Sequence, residues 1–220
     1  MKHKQNYYNL KLGENMLIQI LITVEILIIN LLITHLLSTK KFRNIISFLI
    51  LGFASVIIVF GFLIIRNDDT PQWVGMLTGI IYIFPLLYVY KESASKMVLI
   101  MLFCWTHTLI ISAIASSVFL MLFDNNNIIY QLIIQTVLLV ASTAIVIKFA
   151  KNTFRVILEG YKKSNILLFM ALVFALAVFA FLNRYFISNQ IVALSLSLIQ
   201  AIMSIAVFIL LSDNIKKSHS

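Results

Sequence analysis

Long apolar stretches alternate with short polar connectors along the whole chain. Seven such stretches occur, at residues 16–37, 45–65, 73–90, 97–123, 128–147, 165–182 and 191–211. A helix of about 20 apolar residues is long enough to cross the ~30 Å hydrocarbon core of a bilayer, whereas a barrel strand needs only about ten residues and alternates apolar with polar positions. The pattern therefore predicts an all-α polytopic membrane protein, a seven-transmembrane-helix bundle. Residues 1–15 then form an extracytoplasmic N-terminal segment, and residues 212–220 form a cytoplasmic tail.

The fourth stretch, residues 97–123, is the longest, holds no formal charge and occupies the middle of the series. Small, weakly polar residues recur in it every four positions, which places them on one side of a helix; they are Cys104, Thr108, Ser112 and Ser116. Membrane helices associate where small residues allow close approach and where hydroxyl groups find partners. We expect this ridge to face neighbouring helices, either for packing alone or as a surface that senses a ligand or signal.

Composition supports the membrane assignment. Of the 220 residues, 61% are hydrophobic and 11% are charged, and the mean hydropathy is +1.01; soluble proteins carry about 25% charged residues. The net charge of +9 would suggest nucleic-acid binding in a soluble protein. Here the basic residues lie in the connectors between apolar stretches, where topology and anionic lipids place them. We therefore expect the lipid bilayer, and no nucleic acid, as a partner.

The distribution of Lys and Arg predicts the orientation, because cytoplasmic connectors are enriched in these residues. The first, third and fifth connectors and the C-terminal tail hold 12 of them, while the N-terminal segment and the remaining connectors hold 5. This asymmetry predicts a multi-pass protein of a bacterial plasma membrane with its N-terminus outside and its C-terminus in the cytoplasm. The three lysines of the N-terminal segment run against the trend.

The fifth connector is the longest and the most basic. Its basic residues are Lys148, Lys151, Arg155, Lys162 and Lys163. Basic amphipathic segments bind anionic membrane surfaces, so a membrane-surface segment is expected here. Two alternatives are a solvated extension of the fifth and sixth helices and a segment that transmits motion to an output domain.

Two ionisable residues lie well inside apolar stretches, namely Glu25 and His107. A carboxylate at such depth costs at least about 2.5 kcal/mol unless it is protonated or paired, so a neutral acid hydrogen-bonded within the bundle is the expected state of Glu25. Either residue is a candidate for lining a ligand or signal cavity, and the alternative is a structural hydrogen bond. A contact between Glu25 and His107 is a further hypothesis.

Amide and hydroxyl side chains share one face in three other stretches. They are Gln19, Thr23, Asn30 and Thr34 in the first, Gln131, Gln135 and Ser142 in the fifth, and Ser197, Gln200 and Ser204 in the seventh. Such groups form interhelical hydrogen bonds more often than binding sites, yet Gln135 and Gln200 are also cavity candidates. Gly75 and Gly79 form a GxxxG pattern, which favours close helix packing.

Sequence patterns for enzyme chemistry are missing from the chain. It holds no HExxH zinc pattern, no GxSxG nucleophile elbow and no Walker A lysine loop. Cys104 and His107 are three residues apart and could form a thiolate pair, although a cysteine in apolar surroundings is usually inert. We expect no catalytic residue, no metal and no cofactor, and a cysteine peptidase is retained as a minor alternative.

The order of parts resembles the N-terminal membrane region of bacterial sensor histidine kinases of the GHKL type, including the peptide-pheromone receptors of agr-type quorum sensing. The resemblance covers residues 16–211 and is carried by IFPLLYVYKESASKMVLIMLF at residues 83–103, followed by a basic fifth connector and two further helices. It implies a sensor that passes a signal inward. It assigns no residue, because the membrane part of that family has no invariant catalytic residue. The kinase domain is missing from this chain, which ends nine residues after the last stretch.

Three functions remain open from the sequence. The first is a receptor or sensor of an extracellular or membrane signal, acting through a homodimer or a separate cytoplasmic signalling protein. The second is a small transporter or transporter subunit that holds its substrate at Glu25, Gln135 or Gln200. The third is a membrane peptidase that uses Cys104 and His107.

Overall fold

The computed structural model describes residues 2–38, 45–65, 82–123, 128–160, 166–186 and 189–217. Within these ranges the chain is helical and contains no strand, which agrees with the predicted all-α class. The α-helices are α1 (Lys2–Leu37), α2 (Ile45–Ile65), α3 (Ile83–Tyr90), α4 (Ala94–Leu122), α5 (Ile128–Ile145), α6 (Lys151–Gly160), α7 (Ile166–Phe186) and α8 (Gln190–Lys217). A π-helical turn, Val146–Ala150, connects α5 to α6.

Four of these helices are long and apolar enough to cross a bilayer. Their qualifying segments are Ile20–Leu37, Ala94–Leu122, Ile129–Phe149 and Gln190–Lys217. Shorter apolar segments occur at Ile46–Val59 in α2 and Leu168–Phe179 in α7. The chain is thus a multi-pass helical membrane protein, while the first half of the third predicted stretch, residues 73–81, lies outside the described residues.

Helices α1 and α8 extend well beyond the apolar stretches that predict them. Helix α1 begins at Lys2 and not at Met16, so the polar N-terminal segment is helical from its second residue. Helix α8 continues through the polar sequence after Leu211 and ends at Lys217. The apolar length limits what can lie in hydrocarbon, but it does not stop the backbone hydrogen-bond ladder, which continues until a capping or breaking residue ends it.

Helix α4 is the central helix of the bundle. It packs against α1, α3, α5, α7 and α8. More than half of its qualifying segment, 56%, is buried, compared with 17–22% in the three other qualifying segments. Small buried residues such as Ala113, Ala115 and Ser117 allow the neighbouring backbones to approach from several sides.

One end of the bundle holds the main apolar cluster. It joins the last turn of α1, the start of α4, all of α6, the start of α7 and the end of α8, through Leu37, Leu99, Ile100, Phe154, Ile157, Leu158, Ile166, Leu211 and Ile215. Because α1 and α8 both end there, the first turn of α1 and the last turn of α8 lie at opposite ends of the bundle. This arrangement is the one that an odd number of crossings requires.

Helix α6 packs its apolar side on protein. Phe154, Ile157 and Leu158 are almost completely buried, whereas Asn152 and Arg155 are exposed. The Phe154 ring lies 4.8 Å from that of Phe103 on α4 and 5.9 Å from that of Phe208 on α8, measured between ring centroids. The basic fifth connector is therefore anchored to the bundle end through its apolar face, and its polar side faces outward.

Helices α2 and α3 form a second cluster beside α1 and the start of α4, built on Leu51, Leu86, Val89, Tyr90 and Met97. The Tyr82 hydroxyl lies 2.8 Å from the Ser55 hydroxyl, which donates to the Leu51 carbonyl oxygen at 2.6 Å. The Tyr90 hydroxyl lies 3.4 Å from Nδ1 of His35 at the end of α1. The Tyr82–Ser55 contact thus joins the start of α3 to α2, and the Tyr90–His35 contact joins the pair to α1.

We predict that Phe154→Ala lowers the free energy of unfolding by about 3 kcal/mol, because truncating a buried ring leaves a cavity. The matched control is Phe149→Ala in the same segment, where the ring is 66% exposed and its loss should change stability little. Unfolding of the purified protein in detergent micelles measures both. Equal losses for the two variants would contradict the anchoring of α6 through Phe154.

Candidate functional site

Polar side chains of α1, α4 and α5 meet inside the bundle. Oγ1 of Thr34 on α1 lies 3.6 Å from Sγ of Cys104 on α4, and both residues are buried. Nε2 of Gln131 on α5 donates to Oγ of Ser116 on α4 at 3.3 Å. The faces that carry amides and hydroxyls therefore contact one another, as hydrogen bonding in hydrocarbon requires.

His107 belongs to the contact between α4 and α5. Its Nε2 lies 3.0 Å from Oγ of Ser142, which itself donates to the Leu139 carbonyl oxygen at 3.1 Å. Since that hydroxyl proton is already donated, Nε2–H is the donor to Ser142, and Nδ1 is left as an acceptor. Among the described residues Nδ1 has no hydrogen-bond partner.

Glu25 belongs to the contact between α1 and α5. Nε2 of Gln135 donates to Oε2 of Glu25 at 3.4 Å, which is long for an N–H···O bond. Gln135 is 1% exposed, whereas Glu25 is only half-buried. The Thr136 hydroxyl lies beside the same carboxyl group. The carboxyl group thus has the Gln135 amide on its protein-facing side and the Thr136 hydroxyl on its exposed side.

The contact pairs define the relative register of the three helices. Ser116–Gln131 and His107–Ser142 show that α4 and α5 are antiparallel, and their residue numbers add to nearly the same value. By this register Ser112 lies level with Gln135, and therefore with Glu25. The Ser112 hydroxyl is buried and has no partner within the described ranges. Three polar groups from three helices therefore share one layer near the middle of the spans.

The remaining predicted site residues lie elsewhere or are used locally. Thr108 is buried and donates to the carbonyl oxygens of Cys104 and Trp105 on its own helix. Gln200 on α8 donates to Ser204 one turn later at 3.4 Å, and α8 packs against α4, α6 and α7. Gln200 therefore does not join the Glu25–Gln135 pair. Four predicted residues lie outside the described residues, namely Gly75, Gly79, Lys162 and Lys163.

Two hypothesised pairs do not form. Glu25 and His107 both contact α5, but at Gln135 and Ser142, which are two helical turns or about 10 Å apart. Cys104 turns to Thr34 on α1, while His107 turns to Ser142 on α5. The thiol and the imidazole thus contact different helices, which does not provide the short nucleophile–base contact of a cysteine peptidase.

Sequence reasoning missed the role of Thr136. It lies next to Gln135 but one position round the helix, on the exposed side of α5, so the polar-face pattern did not include it. The available signal was a threonine in an otherwise apolar lipid-facing row. Its side chain donates to the Leu132 carbonyl oxygen at 2.9 Å, which is a common arrangement for threonine in membrane helices.

A basic surface surrounds the bundle end where α6 is anchored. Its described members are Lys91, which directly follows α3, Lys96 at the start of α4, Lys148, Lys151 and Arg155 along the fifth connector, and Lys216 and Lys217 at the end of α8. The apolar cluster brings the start of α4, α6 and the end of α8 to this end, and Tyr90, next to Lys91, contacts His35 at the end of α1. The positive charge that the sequence distributes over separate connectors is therefore concentrated on one side.

Comparison of the chain with protein-family models, with curated proteins and with solved structures finds no match. The fold and the polar layer define the class at the level of a multi-pass helical membrane protein with polar contacts between α1, α4 and α5.

We predict that the His107–Ser142 bond contributes about 0.6 kcal/mol, and no more than about 2 kcal/mol, to stability, as interhelical hydrogen bonds in membranes do. A double-mutant cycle with His107→Ala and Ser142→Ala, measured by unfolding in mixed micelles, gives the coupling energy. The control is Ser195→Ala, because the Ser195 hydroxyl is exposed and donates to the Ile191 carbonyl oxygen of its own helix. A coupling energy near zero would contradict the assigned contact.

We predict that Cys104, the single cysteine of the chain, reacts with N-ethylmaleimide at least about tenfold more slowly than an exposed cysteine, because it is 1% exposed. The reference is Asn152→Cys on the outer side of α6, and peptide mass spectrometry reports the two sites separately within one sample. Equal reaction rates would place the thiol in an accessible cavity and restore the peptidase interpretation.

Proposed function

We propose that the protein is a membrane sensor that receives a signal from the bilayer or the extracellular side and passes a helix movement to a cytoplasmic partner. The observation that carries the proposal is the continuity of α5 with α6. The helix that holds the mid-membrane contact to Glu25 continues through the π-helical turn into the segment anchored at the basic end of the bundle.

The first step of the mechanism lies at the Glu25–Gln135 contact. A signal that strengthens or breaks this contact changes how closely α1 and α5 pack in the middle of the membrane. Because an α-helix is stiff along its axis, a displacement of α5 at Gln135 reaches Ile145, about 15 Å away, with little loss. The signal needs only to favour one of two packings of the same helices.

The π-helical turn provides the second step. It contains one residue more than an α-helical turn, and such turns occur frequently at functional sites. Converting it to α-helix would rotate everything after it by about 100° and move it by about 1.5 Å. Such a rotation would withdraw Phe154 and Ile157 from the apolar cluster. In this proposal the packed and the rotated positions of α6 are the two states between which the signal selects.

The output surface is the basic end of the bundle. The excess of Lys and Arg assigns this end to the cytoplasm and the N-terminus to the outside of a bacterial plasma membrane. In this proposal seven helices cross the membrane, and the third crossing includes residues 73–90. The partner is a separate cytoplasmic signalling protein or the second subunit of a homodimer, as the resemblance to GHKL-type sensor kinases implies.

The geometry bears differently on the two alternatives. A transporter could hold its substrate at the Glu25–Gln135 contact, which a proton-flux measurement tests, whereas Gln200 bonds within α8 and takes no part in that contact. A cysteine peptidase would require the thiol and imidazole of α4 to face one another, yet they contact different helices. The sensor proposal requires only the contacts between α1 and α5 and the anchoring of α6.

The test measures whether a change in the middle of the membrane moves α6. Spin labels on Asn152→Cys in α6 and Ser195→Cys in α8 report the distance between the two helices in reconstituted protein, while Cys104 remains buried and unlabelled. We predict that Gln135→Leu shifts the distance distribution, because it removes the donor to Glu25. The matched control, Val137→Leu, alters an exposed residue of the same helix and should leave the distribution unchanged.

A second measurement separates sensing from transport. Proteoliposomes with an imposed pH gradient and an internal pH-sensitive dye report proton flux for the wild type and for Glu25→Gln. Flux equal to that of protein-free vesicles in both cases, together with the α6 shift, supports a sensor. A proton flux that depends on Glu25, or identical distance distributions for Gln135→Leu and the wild type, would overturn the proposal.

A further inference from the structure

Glu25 lies on the outward-facing row of α1. Leu21, Ile28 and Leu32 are all exposed, and together with Glu25 they fall within about 60° around the helix axis. These exposed apolar side chains face the acyl chains in a membrane-spanning helix. Glu25 is the member of the row that turns towards α5, and it remains half-buried. Its carboxyl group is therefore placed at the boundary between protein and lipid.

Helix α5 also has a boundary between protein-facing and lipid-facing residues at this position. Gln135 is buried against the protein, whereas Thr136 is exposed and lies in line with the exposed residues Ile129, Ile133 and Val140. The carboxyl group has the Gln135 amide on its inner side and the Thr136 hydroxyl on its outer side. The three residues form a polar patch at the mouth of the groove between α1 and α5, bordered by apolar side chains.

The apolar, lipid-facing surroundings of the patch favour a neutral carboxylic acid. Because Oε2 accepts from the Gln135 amide, Oε1 is the oxygen left to carry the proton of the neutral acid. The single proton of the Thr136 hydroxyl is donated to the Leu132 carbonyl oxygen, which leaves only lone pairs on Oγ1 for the carboxyl group. A protonated Glu25 can donate to that oxygen, whereas a carboxylate would face it without a donor. His107 on α4 contacts α5 at Ser142, two turns away from Gln135, and does not enter the patch.

We propose that Glu25, Gln135 and Thr136 form a binding site that opens sideways to the acyl phase and takes a membrane-dissolved primary amine. The proposal rests on the proposed function, because such an amine would be the signal that acts at the contact between α1 and α5. The class follows from charge complementarity, since an acid at a lipid-facing surface binds a base that arrives from the same phase. A hydrated metal ion would have to shed its water in hydrocarbon, which makes it the poorer match.

Binding transfers one proton and forms no covalent bond. The amine nitrogen takes the proton of Oε1, and the resulting ammonium group donates one N–H to the carboxylate and another to Oγ1 of Thr136. Gln135 continues to donate to Oε2, so each oxygen of the carboxylate keeps a donor. The alkyl chain packs on the exposed apolar residues that border the patch. Charge-assisted hydrogen bonds of this kind are about twice as strong as neutral ones.

The test uses a carbodiimide as a reporter of the neutral acid. Dicyclohexylcarbodiimide dissolves in the acyl phase and adds to a protonated carboxyl group, first as an O-acylisourea that then rearranges to a stable N-acylurea on the α1 peptide. We predict that Glu25 in reconstituted protein is labelled by this reagent and that dodecylamine slows the labelling by about tenfold. A water-soluble carbodiimide should label Glu25 far more slowly.

The controls separate binding from a general effect on the bilayer. Dodecanol has the same chain without a basic nitrogen, and dodecyltrimethylammonium has the charge without an N–H or a lone pair, so neither should protect Glu25. Val137→Ala, an exposed position that lies outside the patch, should behave as the wild type. Glu25→Gln identifies the labelled peptide, and Thr136→Val should be labelled but weakly protected because it loses an acceptor for the ammonium group.

Each outcome decides the inference. Equal protection by dodecylamine and dodecanol, or faster labelling by the water-soluble reagent, would overturn the lateral amine site. Self-association of the wild type that is lost in Glu25→Gln, without protection by amine, would assign the groove to a second copy of the chain. Protection of Glu25 by the amine without movement of α6 would support the amine site and contradict the sensor function. Movement of α6 without protection by the amine would support the sensor function and contradict the amine site.

Discussion

Hydrogen-bonding side chains inside hydrocarbon cannot turn to water, and the arrangement of this protein depends on that constraint. Helix α4 carries the most such groups, and it is the helix with the most neighbours around it. Thr34, Gln131 and Ser142 reach it from α1 and α5 and pair with Cys104, Ser116 and His107. The polar contacts therefore connect the central helix to α1 and α5, where a lipid-facing position would leave these groups unpaired at a cost in free energy.

The apolar cluster at the basic end adds a second constraint of a different kind. Hydrophobic burial has no preferred direction, so at this end α6 is held against α1, α4 and α8 by close packing. The rings of Phe154, Phe103 and Phe208 contact one another there. The polar layer in the middle of the spans depends on individual hydrogen bonds. A change in the middle thus alters a few directional contacts, while the bundle end responds as a packed unit.

Glu25 lies where the protein interior meets the lipid-facing surface. Its row on α1 is apolar and outward-facing, yet the carboxyl group reaches a buried amide on α5. In a soluble protein water would satisfy the outer side of such a residue. Here that side faces Thr136 and the lipid-exposed surface, so the carboxyl group borders both the protein interior and the acyl phase. The continuity of α5 with α6 joins this position to the basic end.

Particular residues show the limits of prediction. The spacing of Cys104, Thr108, Ser112 and Ser116 placed them on one side of a helix, and all four are buried. The pairing of Glu25 with Gln135, and not with His107, could not be read from the same spacing, because it depends on the register between helices that are 110 residues apart in sequence. Apolar runs and charge balance are local properties, so they predict a helical chain that crosses a membrane several times and carries an excess of basic residues at one end. Which polar groups face one another, and whether Glu25 faces lipid or protein, depends on distances between separate helices, which the packing of α1, α4 and α5 in the folded protein sets.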